Sequence, residues 1–220
     1  LIEEAIEHFL KAGKTDDAVQ LIIDKRNALM NNSEFSRLSH WLDMLPEPVL
    51  LDNPFLLSTK ALIGIDLGKN VDIHAFTKKA KQYMENHAQK QQTSTLFGEV
   101  LLMEAIVDLV LENVEEGAAK SKQAFALLPE DAQVAHSFCI LIEAVAHQSK
   151  GESQKAIALV QKQLNNPAYT INSQVRICAP LAIVHFLDAN LDEVRKTAQY
   201  NLQLTRGTVS YTHLRAHETE

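Results

Sequence analysis

The chain has 220 residues, with Lys+Arg 21 against Asp+Glu 28, a formal net charge of −7 and 46% apolar residues. Seven glycines and six prolines are each about 3% of the chain, below the roughly 7% and 5% of average proteins, which leaves too little turn chemistry for a many-stranded β fold. The acidic balance offers no basic stripe to hold phosphates, so this segment is expected to make no direct nucleic-acid contact. The apolar run Val100 to Leu111 is broken by Glu104 and Asp108 and falls short of the roughly 18 residues a spanning helix needs, so no membrane association is expected. Cys139 and Cys178 stand alone, without a CxxC spacing, and fit a reducing cytoplasm rather than a disulfide framework. Leu1 in place of a methionine, with helix from the first residues and no charged leader, reads as a fragment whose start lies upstream.

In chain order, Ile2, Ala5, Ile6, Phe9 and Leu10 form one apolar stripe at helical period, ended by Gly13. Thr15 is expected to cap a second helix carrying Ala18, Leu21, Ile22 and Leu29, and Ser33 a shorter one carrying Phe35, Leu38, Trp41, Leu42 and Leu45. The Pro46-Glu-Pro48 segment stops that helix, and Asn53-Pro54 opens the next, which runs to Gly68. After a turn at Lys69-Asn70, a helix places Ile73, Phe76, Ala80, Tyr83 and Met84 on one stripe. A long apolar helix over 95–111 follows. Asn113 with Glu116 forms a capping box before a helix over 114–128, and Pro129 stops it. The remaining helices are expected over 131–149, 152–164, 173–189 (kinked by Pro180) and from Leu191, with Asn190 and Glu193 as a second capping box.

The hairpin turns at Gly13, Gly68, Asn113, Gly151 and Asn190 recur irregularly. In three of them an alanine follows five residues later (Ala18, Ala118 and Ala156), small enough to let paired helices approach closely. Helix pairs repeating at about this length predict an all-α fold, a right-handed superhelix of antiparallel helical hairpins of tetratricopeptide type with a concave face. Three regions are expected: 1–52, a first hairpin plus linking helix; 53–206, the helical repeats; and 207–220, a non-native or disordered tail. The last of these lacks a helical period, and its Val209 to Thr219 stretch resembles translated sequencing-adapter read-through.

The residues Leu1 to Ile22 (LIEEAIEHFLKAGKTDDAVQLI), Leu38 to Leu51 (LSHWLDMLPEPVLL) and Asn53 to Leu56 (NPFL) resemble the MalT-like tetratricopeptide region of large ATP-dependent LuxR-type transcription regulators. The resemblance covers roughly residues 1–80; beyond it only the helical-repeat character is shared. It implies a cytoplasmic, non-enzymatic sensor arm that binds a small-molecule inducer or a regulatory protein and so releases inhibition of an attached NTPase, allowing the regulator to self-associate. It also implies an ATP-binding module upstream and a DNA-binding helix-turn-helix downstream. No GxxxxGK[ST] phosphate loop occurs in the sequence, so no cofactor is expected in this segment. The residues leave a second reading open, a stand-alone tetratricopeptide adaptor that holds a partner protein.

Six residues are candidate ligand or partner contacts. Glu104 and Asp108 form with Glu112 a row of carboxylates at i, i+4 and i+8, open to a basic partner or to acid–base work. Without a nucleophile, metal or cofactor motif beside it, the row reads as solvated rather than catalytic. On the helix from Asp131, His136, Cys139, Glu143 and His147 share a side opposite the apolar stripe of Val134, Phe138, Leu141, Ile142 and Val145. One straight helix cannot wrap a tetrahedral ion, so no metal is expected, and this side reads as solvated or lining the concave face, with Glu143 and His147 offering an acceptor and a donor. Arg176, one turn before Pro180, either binds an anion or pairs with a carboxylate. Trp41 reads as core rather than as a ligand platform.

Overall fold

The structure, a computed structural model, describes residues 2–69, 71–87 and 92–217, with side chains from Ser94 in the segment beginning at Gln92 and up to Arg206 at the end. The expected turn at Lys69-Asn70 thus falls partly outside the described residues, as do Leu1 and the last three positions. Among the described residues the chain forms twelve helices and no strand. They are α1 (Ile2–Lys11), α2 (Thr15–Asn31), α3 (Phe35–Asp43), α4 (Glu47–Asp52), α5 (Pro54–Asp66), α6 (Ile73–Asn86), α7 (Gln92–Val110), α8 (Val114–Leu127), α9 (Gln133–Ser149), α10 (Ser153–Leu164), α11 (Ile171–Leu187) and α12 (Leu191–His217). The all-α expectation holds, and no described helix is long and apolar enough to cross a membrane.

Six helices end in the same way. At Gly13, Ser33, Gly68, Glu112, Gly151 and Ala189 the backbone takes the left-handed conformation, with φ between 57° and 73°. Each of these residues donates its N–H three residues back, and the next residue donates five back: Gly13 to Leu10 (3.1 Å) and Lys14 to Phe9 (2.8 Å), or Ala189 to Phe186 (3.0 Å) and Asn190 to His185 (2.9 Å). This is the Schellman arrangement, which satisfies the last carbonyls of the helix. At five of the six the next helix begins two residues after the left-handed one, so one compact turn geometry recurs; at Gly68 the connection is longer.

This geometry corrects several local expectations. The turn residues near 113 and 190 are Glu112 and Ala189, each one position earlier than Asn113 and Asn190. Ser33 is itself a left-handed turn residue, so it does not cap α3; Glu34 holds the cap position without a side-chain bond, and Lys14 does the same before α2, which starts at Thr15. With the turn at Glu112, the small residue five positions on is Gly117, which is buried, and not the half-exposed Ala118. Asn53 does cap α5, accepting from the N–H groups of Phe55 (3.0 Å) and Leu56 (3.3 Å). Pro46 and Pro48 stop α3 and also begin α4, a helix the sequence reading missed; proline fits a first helical turn, where its missing N–H would have had no partner.

The chain divides into two compact units, residues 1–104 with 123–135, and residues 105–122 with 136–220. In the first, α1 packs on α2, α2 on α3 and α5, α3 and α4 on α5, and α5 on α6. Helix α5 is buried nearly all round, the mark of a central helix. Ile6, Ile22, Leu38, Trp41, Leu56, Phe76, Leu96 and Leu102 are fully buried, so Trp41 is core, with the Arg37 guanidinium carbon 5.9 Å from its ring centroid.

In the second unit α8 and α9 run antiparallel: Lys150 at the end of α9 pairs with Glu115 at the start of α8 (3.1 Å), and mid-helix Ser121 Oγ donates to the carbonyl of Cys139 (3.0 Å). A Cβ at Gly117 would lie 3.1 Å from the Ala105 carbonyl oxygen and 3.3 Å from Asp108 Cβ, so the missing side chain sets how closely α8 approaches α7 there. Helix α10 packs on α11 and α11 on α12, whose backbone continues through His217. Asp188 accepts from Gln148 Nε2 and Ser153 Oγ, both at 2.7 Å, and joins the ends of α9, α10 and α11.

Candidate functional site

Helix α2 places Asp16, Val19, Gln20, Ile23, Arg26 and Asn27 along one face, as a 3.6-residue period requires. Together with Asn53, Phe55, Tyr83 and Thr95 they line a cleft of about 370 Å³ in the first unit. At its base Arg26, 4% exposed, meets Glu99, 3% exposed. The Nη2 group contacts Glu99 Oε1, and Nη1 lies 3.5 Å from Oε2. Nη1 also donates to the Phe55 carbonyl (3.1 Å) and to Thr59 Oγ1 (3.2 Å), and the guanidinium carbon lies 5.5 Å from the Phe55 ring centroid. The charges of α2 and α7 thus neutralise each other against α5, as a buried pair must.

The walls are partly committed. The Asn53 oxygen caps α5, so its NH₂ remains to donate; Asn27 donates to Asp131 Oδ1 (3.1 Å) and Gln20 to Asp24 Oδ1 (2.7 Å), so both keep acceptor oxygens. Phe55 and Tyr83 meet edge-on, with centroids 6.1 Å apart, and His87 stacks on Tyr83 at 4.2 Å. Asp16 is exposed. The cleft therefore presents amide donors and acceptors, a neutralised Arg–Glu base, aromatic edges and one carboxylate, a mixture of apolar wall and few fixed polar groups suited to holding a ligand.

None of the six expected contact residues lines this cleft. The carboxylate row is broken: α7 stops at Val110 and Glu112 takes the left-handed turn. Glu104, in the first unit, pairs with Lys81 (3.0 Å); Asp108, in the second and 8% exposed, pairs with Lys120 (2.7 Å).

The side of α9 expected to be solvated or to line a concave face is buried at His136 and Cys139 and partly exposed at Glu143 and His147. His136 is 6% exposed and Cys139 fully buried, whereas Phe138, Leu141 and Val145 are half-buried; α9 is covered on both sides, so no single apolar stripe marks the core. His136 meets the edge of Tyr169, with centroids 6.4 Å apart. Burial pushes the Cys139 thiol up to about 12, the Cys178 thiol to about 11 and the Tyr169 phenol to about 12. Glu143 is half-buried and burial raises its carboxyl, against the opposing pull of Lys122 and His147. His147 turns Nδ1 onto Glu152 Oε2 at 2.8 Å; Glu152 is held below the usual carboxylate range first by Lys155 and then by His147. Arg176 is half-buried on α11.

The signal for the Arg26 base was partial in the sequence: Arg26 shares a helical face with Ile22, Ile23 and Leu29 but directly follows Asp24 and Lys25, whereas Glu99 stands as a single carboxylate before Val100, Leu101 and Leu102. A charge embedded in each of two apolar faces demands a partner, and these two answer each other. No protein-family model matches the chain, and no solved structure matches its fold.

Proposed function

We propose that the chain is the ligand- or partner-sensing helical-repeat segment of a MalT-like LuxR-type transcriptional regulator. The observation that carries the reading is the Arg26 cleft, built by helices that lie mostly within the stretch resembling that family. The recurring Schellman turns support stacking of the hairpins into a right-handed tetratricopeptide-type superhelix. In this reading the segment works in the cytoplasm, binds rather than transforms its ligand, and leaves ATP and DNA to other modules of the regulator. A stand-alone adaptor is the second reading, favoured by the exposed apolar side chains of Phe186 (64%), Leu187 (55%) and Leu191 (64%) around the α11–α12 turn, which suit a protein partner.

The test is native mass spectrometry of the purified chain after passage through an extract of its source cells. A stoichiometric small-molecule adduct that is lost in Gln20→Ala and Tyr83→Ala is the expected result. Retention of a protein with no small molecule would favour the adaptor, and an adduct unaffected by either substitution would overturn the assignment to this cleft.

A further inference from the structure

Counted from the left-handed residue that precedes it, α12 repeats the register of α2, α8 and α10. The ninth position on is Ile22, Ser121 and Val160 in those three helices, and each is fully buried. Ser121 shows what covers it, donating to the Cys139 carbonyl of the following helix, α9. The thirteenth position is Arg26 in α2, bonded to Phe55 and Thr59 of α5, and Leu164 in α10, which shares a groove with Leu181 of α11. At both positions the stripe is closed by a helix later in the chain. In α12 the same two positions are Ala198 and Leu202, and both are exposed, Leu202 by 57%.

The uncovered face continues onto α11. Ala179, Ile183 and Phe186, all exposed, fall at i, i+4 and i+7 on the side turned away from the buried Ile177, Leu181 and Val184. Leu187 and Leu191, both exposed, flank the turn between the two helices. The charges at the start of α12 answer each other a turn apart, Asp192 with Arg195 at 3.3 Å and Glu193 with Lys196 at 2.5 Å. A terminal repeat needs a polar outer face to stay in solution; this hairpin has an apolar one.

We propose that the α11–α12 face is the seat of a further helical hairpin of the same polypeptide, its first helix lying over Ala198 and Leu202 as α9 lies over Ser121. Helix α9 begins 21 residues after Glu112 and α11 20 residues after Gly151, and the same count from Ala189 reaches positions 209–210. That is where the stretch resembling adapter read-through stands, so the source DNA encodes the covering helix in its place. The covering helix presents aliphatic side chains at i, i+4 and i+7, the spacing at which Ile177, Leu181 and Val184 of α11 are buried. The further hairpin rests on the stacking of hairpins proposed above and fits a regulator and an adaptor alike.

The test begins with the source DNA, read in frame past the Arg206 codon. An amphipathic helix opening within a few residues of position 210 is expected, with a second helix after it. The continued chain, carrying both helices in place of residues 208–220, is then compared with the 220-residue chain. Backbone hydrogen exchange over Ala198 to Leu202 is expected to slow by more than roughly tenfold on continuation. Leu202→Asp is expected to lower the melting temperature of the continued chain by about 5 °C or more and that of the 220-residue chain by less than about 2 °C; Leu202→Ala gives the same order of effects should the carboxylate prevent folding. A stop codon directly after Arg206, a continuation without an amphipathic helix there, or exchange and melting that respond alike in the two chains would each overturn the proposal. A stable dimer of the 220-residue chain that Leu202→Asp dissociates would give the face to a second copy and overturn it as well. A helix-turn-helix with no hairpin before it would overturn the hairpin and leave the regulator reading standing, and a hairpin with no helix-turn-helix beyond it would do the reverse.

Discussion

Arg26→Met removes the guanidinium from the base of the cleft and keeps much of its apolar stem. The Phe55 carbonyl still receives Thr59 Oγ1 at 2.7 Å, so no backbone acceptor is orphaned, and what remains is Glu99, 3% exposed, with its cation gone. Breaking a buried pair from one side costs about 3–5 kcal/mol, because a charge is left in a low-dielectric interior without compensation. Glu99→Met is expected to cost the same by the same reasoning. The double variant Arg26→Met/Glu99→Met replaces both charges with apolar groups of similar length, and is expected to return to within about 1 kcal/mol of the parent or to exceed it by about 1–4 kcal/mol. The three variants and the parent, unfolded in urea and followed by circular dichroism, form a double-mutant cycle. Single variants that each cost less than about 1 kcal/mol, or a double variant whose loss is the sum of the two, would refute the buried pair as described.

Glu112→Gly and Ala189→Gly relieve a left-handed β-carbon at φ 64° and 57°. Each is expected to raise stability by about 0.5–1 kcal/mol, the strain relieved less the entropy glycine adds to the unfolded chain, read as a higher melting temperature. Gly117→Val forces a side chain against the Ala105 carbonyl at 3.1 Å and is expected to cost about 1–3 kcal/mol, whereas Ala118→Val costs well under that; equal effects would put the close approach back at Ala118. Stability also falls with alkali: the Cys139 thiol rises from 9.0 to about 12 and the Tyr169 phenol from 10.0 to about 12 in the folded chain. The unfolded chain therefore loses those protons first, and stability present below about pH 9 drains away toward pH 12. Thiol labelling at pH 8 checks the same burial: no reaction is expected in native protein and two thiols after urea.

Helical stripes, Asn53 as a cap and Trp41 as core were legible because each follows from a local period or a local hydrogen bond. The turns were half legible. Glycine marked the left-handed positions at Gly13, Gly68 and Gly151, but Ser33, Glu112 and Ala189 adopt the same conformation, imposed by the helices they join rather than by their own propensity. Misplacing one turn by one residue moved the small contact position from Gly117 to Ala118. The face of α9 was only half legible for a related reason: a helix covered on both sides has no single apolar stripe, so the polar His136 and Ser137 are buried, His136 against Tyr169, while Glu143 and His147 stay partly exposed. The cleft was illegible as a site because Arg26 and Glu99 are 73 residues apart and Arg26 follows Asp24 and Lys25 in a charged run; only Glu99, before Val100, Leu101 and Leu102, stood out.

The regulator reading is tested most directly by sequencing the source DNA across both sides of this coding stretch. The account predicts, in one open frame, a phosphate-loop module upstream of Leu1 and a helix-turn-helix downstream of Arg206. A start codon directly before Leu1 and a stop codon directly after Arg206 would contradict it and leave an adaptor whose partner is to be sought.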